Sequence, residues 1–344
     1  MKQGKTLQEL ASELQRQSEK KLDIVSDTRE IFMNDDLSIS VGETNIFTPT
    51  KHCHQQIGTF LDIPKKYYDR MLSEDNRLLT DNVNAWMHKK QSRRMIRTLD
   101  GNARAFLSDR YRRIDNDIIA EMSLNTLLNM PGISTDNVVS TEITERKLYL
   151  KVIFSHIRGE IKVGDTVESG IVISNSEIGL GGFQVAPFVH RLVCLNGMTV
   201  NDASINKRHL GSRLSAGIAY QDDTVKADDK ALMLELRDTI MASASQVQFD
   251  KYVEKMREAT EGEKITKPVE AVEILSKNFG FNETEKTSIL ENLIKDQDYS
   301  KWGMVNAVTA IANDHPDYDR ATEIESIGGR VLDLNRSQWR EIAA

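Results

Sequence analysis

The sequence predicts an α+β fold, with an antiparallel, β-rich core of hairpins backed by helices and a helical C-terminal region after it. Two hairpin signals support this prediction: the Asp100-Gly101 turn between short apolar runs, and the alternation of apolar and polar residues in KLYLKVIF at 147–154. The third observation is the helical spacing of apolar residues through most of the chain after residue 228. We divide the chain into an N-terminal helical segment at 1–34, an α+β core domain at 35–220 and a helical C-terminal region at 221–344, with a linker near 261–268.

Helices are predicted first along the chain. Apolar residues recur at helical spacing over 6–20, and Thr6 is of a type that caps helix N-termini. Pro49 predicts the start of a helix that runs through residue 60, because proline is tolerated in a first helical turn. Helices at 65–72 and 76–90 follow. The first of these, KKYYDRML, makes a helix–break–helix that superficially resembles a DNA-reading motif, but its large apolar side chains favour a packing role.

Strands and then helices make up the rest of the chain. Strands are predicted at 94–99, 103–107, 137–144, 147–154, 168–174 and 183–194. One helix, at 115–128, is predicted between the second and third of these strands. One long amphipathic helix is predicted over 228–256. Further helices are predicted near 269–280, 283–295, 301–313 and 317–334.

Composition limits the class of protein. The chain has 344 residues, 39% of them apolar and 28% charged, which indicates a globular protein with a substantial core. No apolar run approaches the roughly 18–20 residues that span a bilayer, and the N-terminus lacks the apolar stretch of a secretory signal. Two cysteines are too few for a disulfide framework. We therefore predict a cytoplasmic protein with no membrane partner.

Positive charge is concentrated in one stretch, 86–113. It holds nine Lys or Arg against two Asp, a net of +7, in a chain whose total is −7. Trp86, Phe106 and Tyr111 are interleaved with the cations, which is the pattern that suits phosphates and stacked bases. A solvated, charged hairpin is the alternative interpretation.

A second basic stretch, 190–213, has six Arg, Lys or His against one Asp. If the strand that ends at Cys194 lies beside the 94–107 hairpin, the two stretches form one groove for a phosphate backbone. The alternative is that these arginines pair with carboxylates inside the domain. The predicted nucleic-acid-binding residues are Arg93, Arg94, Arg97, Arg104, Arg110, Tyr111, Arg112, Arg113, Arg191 and Arg208.

Catalytic and metal sites are less well supported by the sequence. His52, Cys53 and His54 are adjacent on a predicted helix, where their side chains diverge, so no metal site is predicted. Cys194 with His209, or the Glu160–Lys162 pair, gives a weak enzyme alternative without a local signature. We predict no catalytic residue and no cofactor.

Four motifs carry a resemblance to a known family. FLSDRYRRIDN at 106–116, PFVHRLVCLNGM at 187–198 with KRH at 207–209, WGMVNAVTAIA at 302–312 and ESIGGRVLDL at 325–334 occur in order. The chain therefore resembles the phage/plasmid-like family called domain of unknown function 932, over about residues 35–335. That resemblance implies residence on mobile elements and no established activity. The order of elements is similar, at the level of the fold alone, to phage single-strand annealing proteins of the RecT, Redβ and ERF type.

We expect a non-enzymatic phage or plasmid DNA-metabolism protein that binds single-stranded DNA along a basic groove, as a homo-oligomer, with strand annealing or recombination as its role. The main alternative is a module that binds a host protein through the acidic C-terminal region, which has 25 acidic and 16 basic residues after Gln221. The enzyme remains the weaker alternative.

Overall fold

The computed structural model describes residues 1–200, the backbone of 207–208, and 221–344. Its described strands form two six-stranded sheets, and helices cover both. The first sheet contains β1 Lys21–Asp27, β2 Ile31–Met33, β3 Ile39–Val41, β4 Asn45–Pro49, β5 Arg93–Leu99 and β6 Asn102–Ser108. The second contains β7 Val138–Ile143, β8 Leu148–Glu160, β9 Thr166–Asn175, β10 Gln184–Arg191, β11 Gly197–Thr199 and β12 Lys207–Arg208.

Five helices lie among and before the strands: α1 Leu7–Lys20, α2 Lys51–Phe60, α3 Lys65–Glu74, α4 Asn76–Lys89 and α5 Asn116–Leu128. Seven follow them in the described part of the chain: α6 Asp222–Ser243, α7 Gln246–Glu261, α8 Pro268–Phe279, α9 Glu283–Asp296, α10 Lys301–Ala310, α11 Tyr318–Leu332 and α12 Arg336–Ala343. The predicted α+β class with a helical C-terminal region is confirmed. No described helix is long and apolar enough to cross a membrane.

The first sheet has the strand order β1-β5-β6-β4-β3-β2. Only the β4–β6 pair is parallel, and it joins the β2–β3–β4 meander to the β5–β6 hairpin. Helices α2, α3 and α4 cover one face, where Ile57, Tyr68 and Val83 are buried against Ile96 and Phe106 of the hairpin. Burial of Tyr68 supports the packing interpretation of the helix–break–helix.

The second sheet is antiparallel, in the order β11-β10-β9-β8-β7 with β12 beside β10. Both of its faces are covered. Leu148 and Leu150 of β8 belong to the main core, whereas Tyr149 and Ile153 face a smaller cluster that includes Tyr318 of α11. Nearly every position of β9 and of the first half of β8 is therefore buried, whichever face it points to.

The C-terminal helices share the main core with the second sheet. That single core extends from Leu10 of α1 to Ala343 of α12. The segment predicted as a linker is packed: Ile265 is buried, and its backbone N–H donates to the carbonyl of Tyr299 at 2.8 Å. The chain thus passes from the main core to the core under α2–α4 after about residue 20 and returns to the main core after about residue 108. The domain boundaries predicted at residues 34 and 220 remain a prediction.

Two predicted helix boundaries are wrong. The helix predicted from Pro49 begins at Lys51, because Pro49 ends β4 and Thr50 caps the helix with its side chain. The single helix predicted at 228–256 is two helices, α6 and α7. Ser245 breaks the run: its backbone is extended, and its hydroxyl accepts from the backbone N–H of Gln248 at the start of α7.

Candidate nucleic-acid interface

The β5–β6 hairpin carries four of the ten predicted binding residues, and four more follow directly after it. Its turn is formed by Asp100 and Gly101, which both have positive φ, 52° and 77°, as the Asp-Gly pair predicts for a two-residue turn. Residues of the two strands alternate between two apolar clusters, one under α2–α4 and one formed with Ile178 from the segment between β9 and β10. The hairpin is therefore enclosed on both faces over its middle, and only its ends are accessible.

Two of the predicted residues, Arg97 and Arg104, lie in this enclosed middle. Arg97 is 4% exposed, and it donates to Asp23 at 3.0 Å, to the carbonyl of Glu177 at 3.0 Å and to Asp115. Arg104 donates to the Glu177 carboxylate at 3.1 Å. Both guanidinium groups are thus engaged inside the protein.

Glu177 is the centre of this network. It is 2% exposed, and its carboxylate also accepts from Lys21 and from the backbone N–H of Asn116. Burial alone would raise the pKa of Glu177, but Lys21 and its hydrogen bond, together with the Asn116 N–H and Arg104, outweigh burial and lower the pKa below its usual value. The network joins the two sheets, and this accounts for Arg97 and Arg104 without any ligand.

Three further predicted residues also have partners within the protein: two arginines pair with carboxylates, and Tyr111 bonds to a backbone carbonyl. Arg112 has a side chain only 9% exposed and pairs with Asp228 and Asp229, in the second turn of α6. Arg113 contacts Asp23 at 3.4 Å and remains half-exposed. Tyr111 is half-buried, and its hydroxyl donates to the carbonyl of Ser176 at 3.3 Å.

The predicted groove between the two basic stretches is wrong in one respect. Arg191 ends β10, which pairs with β9, β11 and β12 in the second sheet, so it does not neighbour the hairpin. Its guanidinium is bound by Asp165 at 2.6 and 3.0 Å. The backbone of Arg208 pairs with Gln184, but its side chain lies outside the described residues, as does His209.

The remaining predicted arginines lie together at the open end of the hairpin. Arg94 is opposite Ser108 in the ladder, Arg93 precedes it, and Arg110 follows β6. Arg93 and Arg110 are exposed. With the adjoining end of α4 they form a surface that we call the hairpin edge; its members are Trp86, Lys89, Lys90, Arg93, Arg94 and Arg110.

Arg94 packs against a pair of aromatic rings, Phe60 and Phe106, whose centres are 5.5 Å apart. Its guanidinium carbon lies 4.3 Å from the ring centre of Phe60 and 5.0 Å from that of Phe106. Its Nε is buried without a hydrogen-bond partner, and burial lowers its pKa. A planar cation fixed on aromatic rings is presented in a defined orientation, which suits both phosphate contact and stacking.

Trp86, Lys89 and Lys90 complete the hairpin edge. Trp86 is 46% exposed, and the Lys89 Nζ lies 4.9 Å from its ring centre. Lys90 pairs with Asp62 and lies 5.1 Å from the Phe60 ring. These three residues belong to the basic stretch but were left out of the predicted site. The sequence could have identified them, because they lie at the end of a predicted helix that leads directly into the strand β5.

The weaker chemical alternatives gain no support from the geometry. Cys53 is fully buried, and His54 bonds the Tyr68 hydroxyl at 3.0 Å; burial raises the pKa of Cys53 and lowers that of His54. Lys162 pairs with Asp298, and Glu160 accepts from the Gly164 N–H. Over the described residues, no group of His, Cys, Asp and Glu is arranged to hold a metal ion.

The motifs of the second half converge around the turn between β10 and β11. The Asn196 side chain donates to Thr309 at 2.6 Å and to Asn306 at 3.3 Å, both on α10. The Trp302 indole donates to Asp165, the same carboxylate that binds Arg191. These motif residues fasten α10 to the second sheet.

Comparison with known proteins gives a family match. The family model described as Domain of unknown function (DUF932) matches residues 104–339, more than half of the chain. The match begins in β6, so most of the first sheet precedes it. No curated protein and no solved structure matches the chain. Because the match spans the second sheet and the helices fastened to it, the chain belongs to the family Domain of unknown function (DUF932).

Proposed function

We propose that the protein binds single-stranded DNA at the hairpin edge. The observation that supports this most directly is the packing of the Arg94 guanidinium against the adjacent rings of Phe60 and Phe106. Lys90 contacts the same Phe60 ring, and Trp86, whose indole is 46% exposed, precedes Lys90 by one helical turn. Cations next to an accessible aromatic face are the elements with which proteins hold unpaired bases and their phosphates. The buried arginines of the ion-pair network are not part of this proposed interface.

The size of the interface sets the expected behaviour. Arg93 and Lys89 form no ion pair with another described residue, and Arg94 is held only by rings and a 3.5 Å contact to the carbonyl of Phe106. Three phosphate contacts predict a plot of log K against log salt with a slope of about −2 for a single strand. One base stacked on Trp86 adds about 1–3 kcal/mol.

The test is fluorescence anisotropy of a labelled oligothymidine with the full chain, over a series of salt concentrations. We expect Trp86→Ala to weaken binding by about 5- to 100-fold, which corresponds to one lost stacked base, with little change in the salt slope. Arg93→Glu with Lys89→Glu is expected to flatten that slope by at least one unit.

Matched controls lie elsewhere on the surface. Phe32→Ala removes an aromatic side chain that is 49% exposed on β2 and lies on the face opposite to its neighbours Ile31 and Met33, which are buried in the core under α2–α4. Lys277→Glu reverses an exposed charge on α8. Both are expected to bind like the wild type. Undetectable binding at low salt, or equal losses in the controls and the hairpin-edge variants, would refute the proposal.

Strand annealing is the finer form of the proposal. Two complementary oligonucleotides, each carrying one dye of a donor–acceptor pair, report annealing directly. We expect the wild type to accelerate it and Trp86→Ala to lose the acceleration in proportion to its lost affinity. Binding without any acceleration would leave single-strand binding in place and remove annealing.

A further inference from the structure

An apolar groove runs between α5 and α6, away from the hairpin edge. It has a volume of about 570 Å³. Three large apolar side chains on its walls are well exposed: Ile118 at 47%, Leu234 at 41% and Met241 at 54%. Contiguous exposed apolar surface of this kind is uncommon on a monomer and marks an interaction site.

The groove is rich in methionine. Met122 lies on α5, Met130 follows the end of α5, and Met233 and Met241 lie on α6. Methionine side chains are unbranched and polarisable, so they adapt to the shape of an apolar partner. Buried in a core they would only fill space, but along an open groove they form a surface that accepts another helix.

The two helices that form the groove run in the same direction. Arg112, just before α5, pairs with Asp228 and Asp229 in the first turns of α6, so both helices start at the same end. Each helix packs its inner side on the main core, since Ile119, Leu127, Leu236 and Ile240 belong to that core. The outer side is an unpartnered two-helix layer.

The two walls carry opposite charges. Glu121 lies on the α5 wall, and Lys230 and Arg237 lie on the α6 wall. Neither Glu121 nor Lys230 forms an ion pair with any other residue that the structure describes. Arg237 contacts only Asp238, its neighbour in sequence, at 2.7 Å among those residues. A partner that supplies an acidic wall opposite α6 and a basic wall opposite α5 would complement both.

We propose that this groove is the contact surface between two copies of the chain. In a two-fold dimer the same patch faces itself, so residue i of one copy meets residue j of the other and j meets i. The α5 wall of one copy then faces the α6 wall of its partner, so that Glu121 of each copy lies against the basic α6 wall of the other. The two helix pairs close a four-helix layer over the methionines.

Sedimentation velocity of the full chain over a concentration series tests the proposal. We expect a monomer–dimer equilibrium whose heavier species has twice the 39.0 kDa mass of the chain. Leu234→Asp or Met241→Asp should shift the equilibrium to monomer by at least 30-fold in Kd. Val247→Asp, at a side chain 72% exposed on α7, is the matched control and should leave it unchanged.

Charge reversal distinguishes a second copy from any other partner. Glu121→Lys and Lys230→Glu should each weaken the dimer, and the chain carrying both should recover it, because the walls have exchanged signs. Folding of every variant is checked by circular dichroism and melting temperature. A wild type that stays monomeric at all concentrations overturns the proposal, as does a dimer that Leu234→Asp leaves intact or a double reversal that fails to recover.

Discussion

Replacement of Glu177 by Gln tests the ion-pair network that joins the two sheets. The substitution keeps the shape of the side chain and removes its charge, so Lys21 and Arg104 lose their shared carboxylate. Removing one partner of a buried ion pair costs about 3–5 kcal/mol, because the other charge stays buried without compensation. The Lys21 and Arg104 side chains are 12% and 10% exposed, so some water reaches them and we expect the lower value, about 3 kcal/mol.

Thermal unfolding at neutral pH is the assay. At about 2 °C for each kcal/mol in a protein of this size, the midpoint should fall by about 6 °C. The matched control is Glu43→Gln, the same change at an exposed residue without an ion pair to any described residue, which should shift the midpoint by less than 1 °C.

The pH dependence gives a second readout for the same variant. Because the pKa of Glu177 is lowered in the folded protein, its contribution to stability is present above the unfolded value, about 4.3 for Glu, and is lost as the pH falls through the folded pKa. The difference in midpoint between wild type and Glu177→Gln should therefore be constant from pH 6 to 8 and shrink below pH 4. A difference under 2 °C at pH 7, or one that persists in acid, would refute the reasoning.

Three further changes test other parts of the fold. Lys151→Ala should destabilise the protein by about 3–5 kcal/mol, since it leaves the fully buried Glu325 without its cation. The double variant Lys151→Met with Glu325→Leu should lose less stability, because it leaves no buried charge. Denaturant midpoints compare the two variants, and equal losses would contradict this account. Gly329→Ala places a methyl group 2.0 Å from a backbone oxygen of β11 and should cost about 1–3 kcal/mol, while Gly262→Ala meets nothing within 4 Å and should be tolerated in the same thermal assay. Thr6→Ala removes a capping box at the start of α1 and should cost about 1 kcal/mol, a loss that Thr6→Ser should not show.

Local signals in the sequence predicted most of the elements. Thr6, the Asp100-Gly101 turn and the alternation in β8 act over a few residues, and each leads to the element it predicts. The strands β1 to β4 were all missed; β2 and β3 have three residues each, which gives too little periodicity to detect. The break at Ser245 was missed because helical spacing continues across it, and only the cap separates α6 from α7.

The candidate site was less predictable for a different reason. A count of arginines does not reveal which of them have partners, and those partners are far away in sequence: Arg97 meets Glu177, and Arg112 meets Asp228 and Asp229. The alternation of strand positions gave no guide, because both faces of the hairpin are enclosed. Only contacts between the two sheets separate the structural arginines from those of the hairpin edge.

The path of the chain between its two cores has a consequence for biosynthesis. The core under α2–α4 uses residues 31–106, so it can close soon after that segment leaves the ribosome. The larger core needs Leu10 of α1 together with Trp339 and Ile342 of α12. Helix α1 itself contacts α5 and β7, so it stays undocked, already tethered through β1 to a finished sheet, until residues 116–143 have been translated. A nascent chain whose exposed part ends before residue 116 should protect the first sheet from protease and leave α1 open to cleavage.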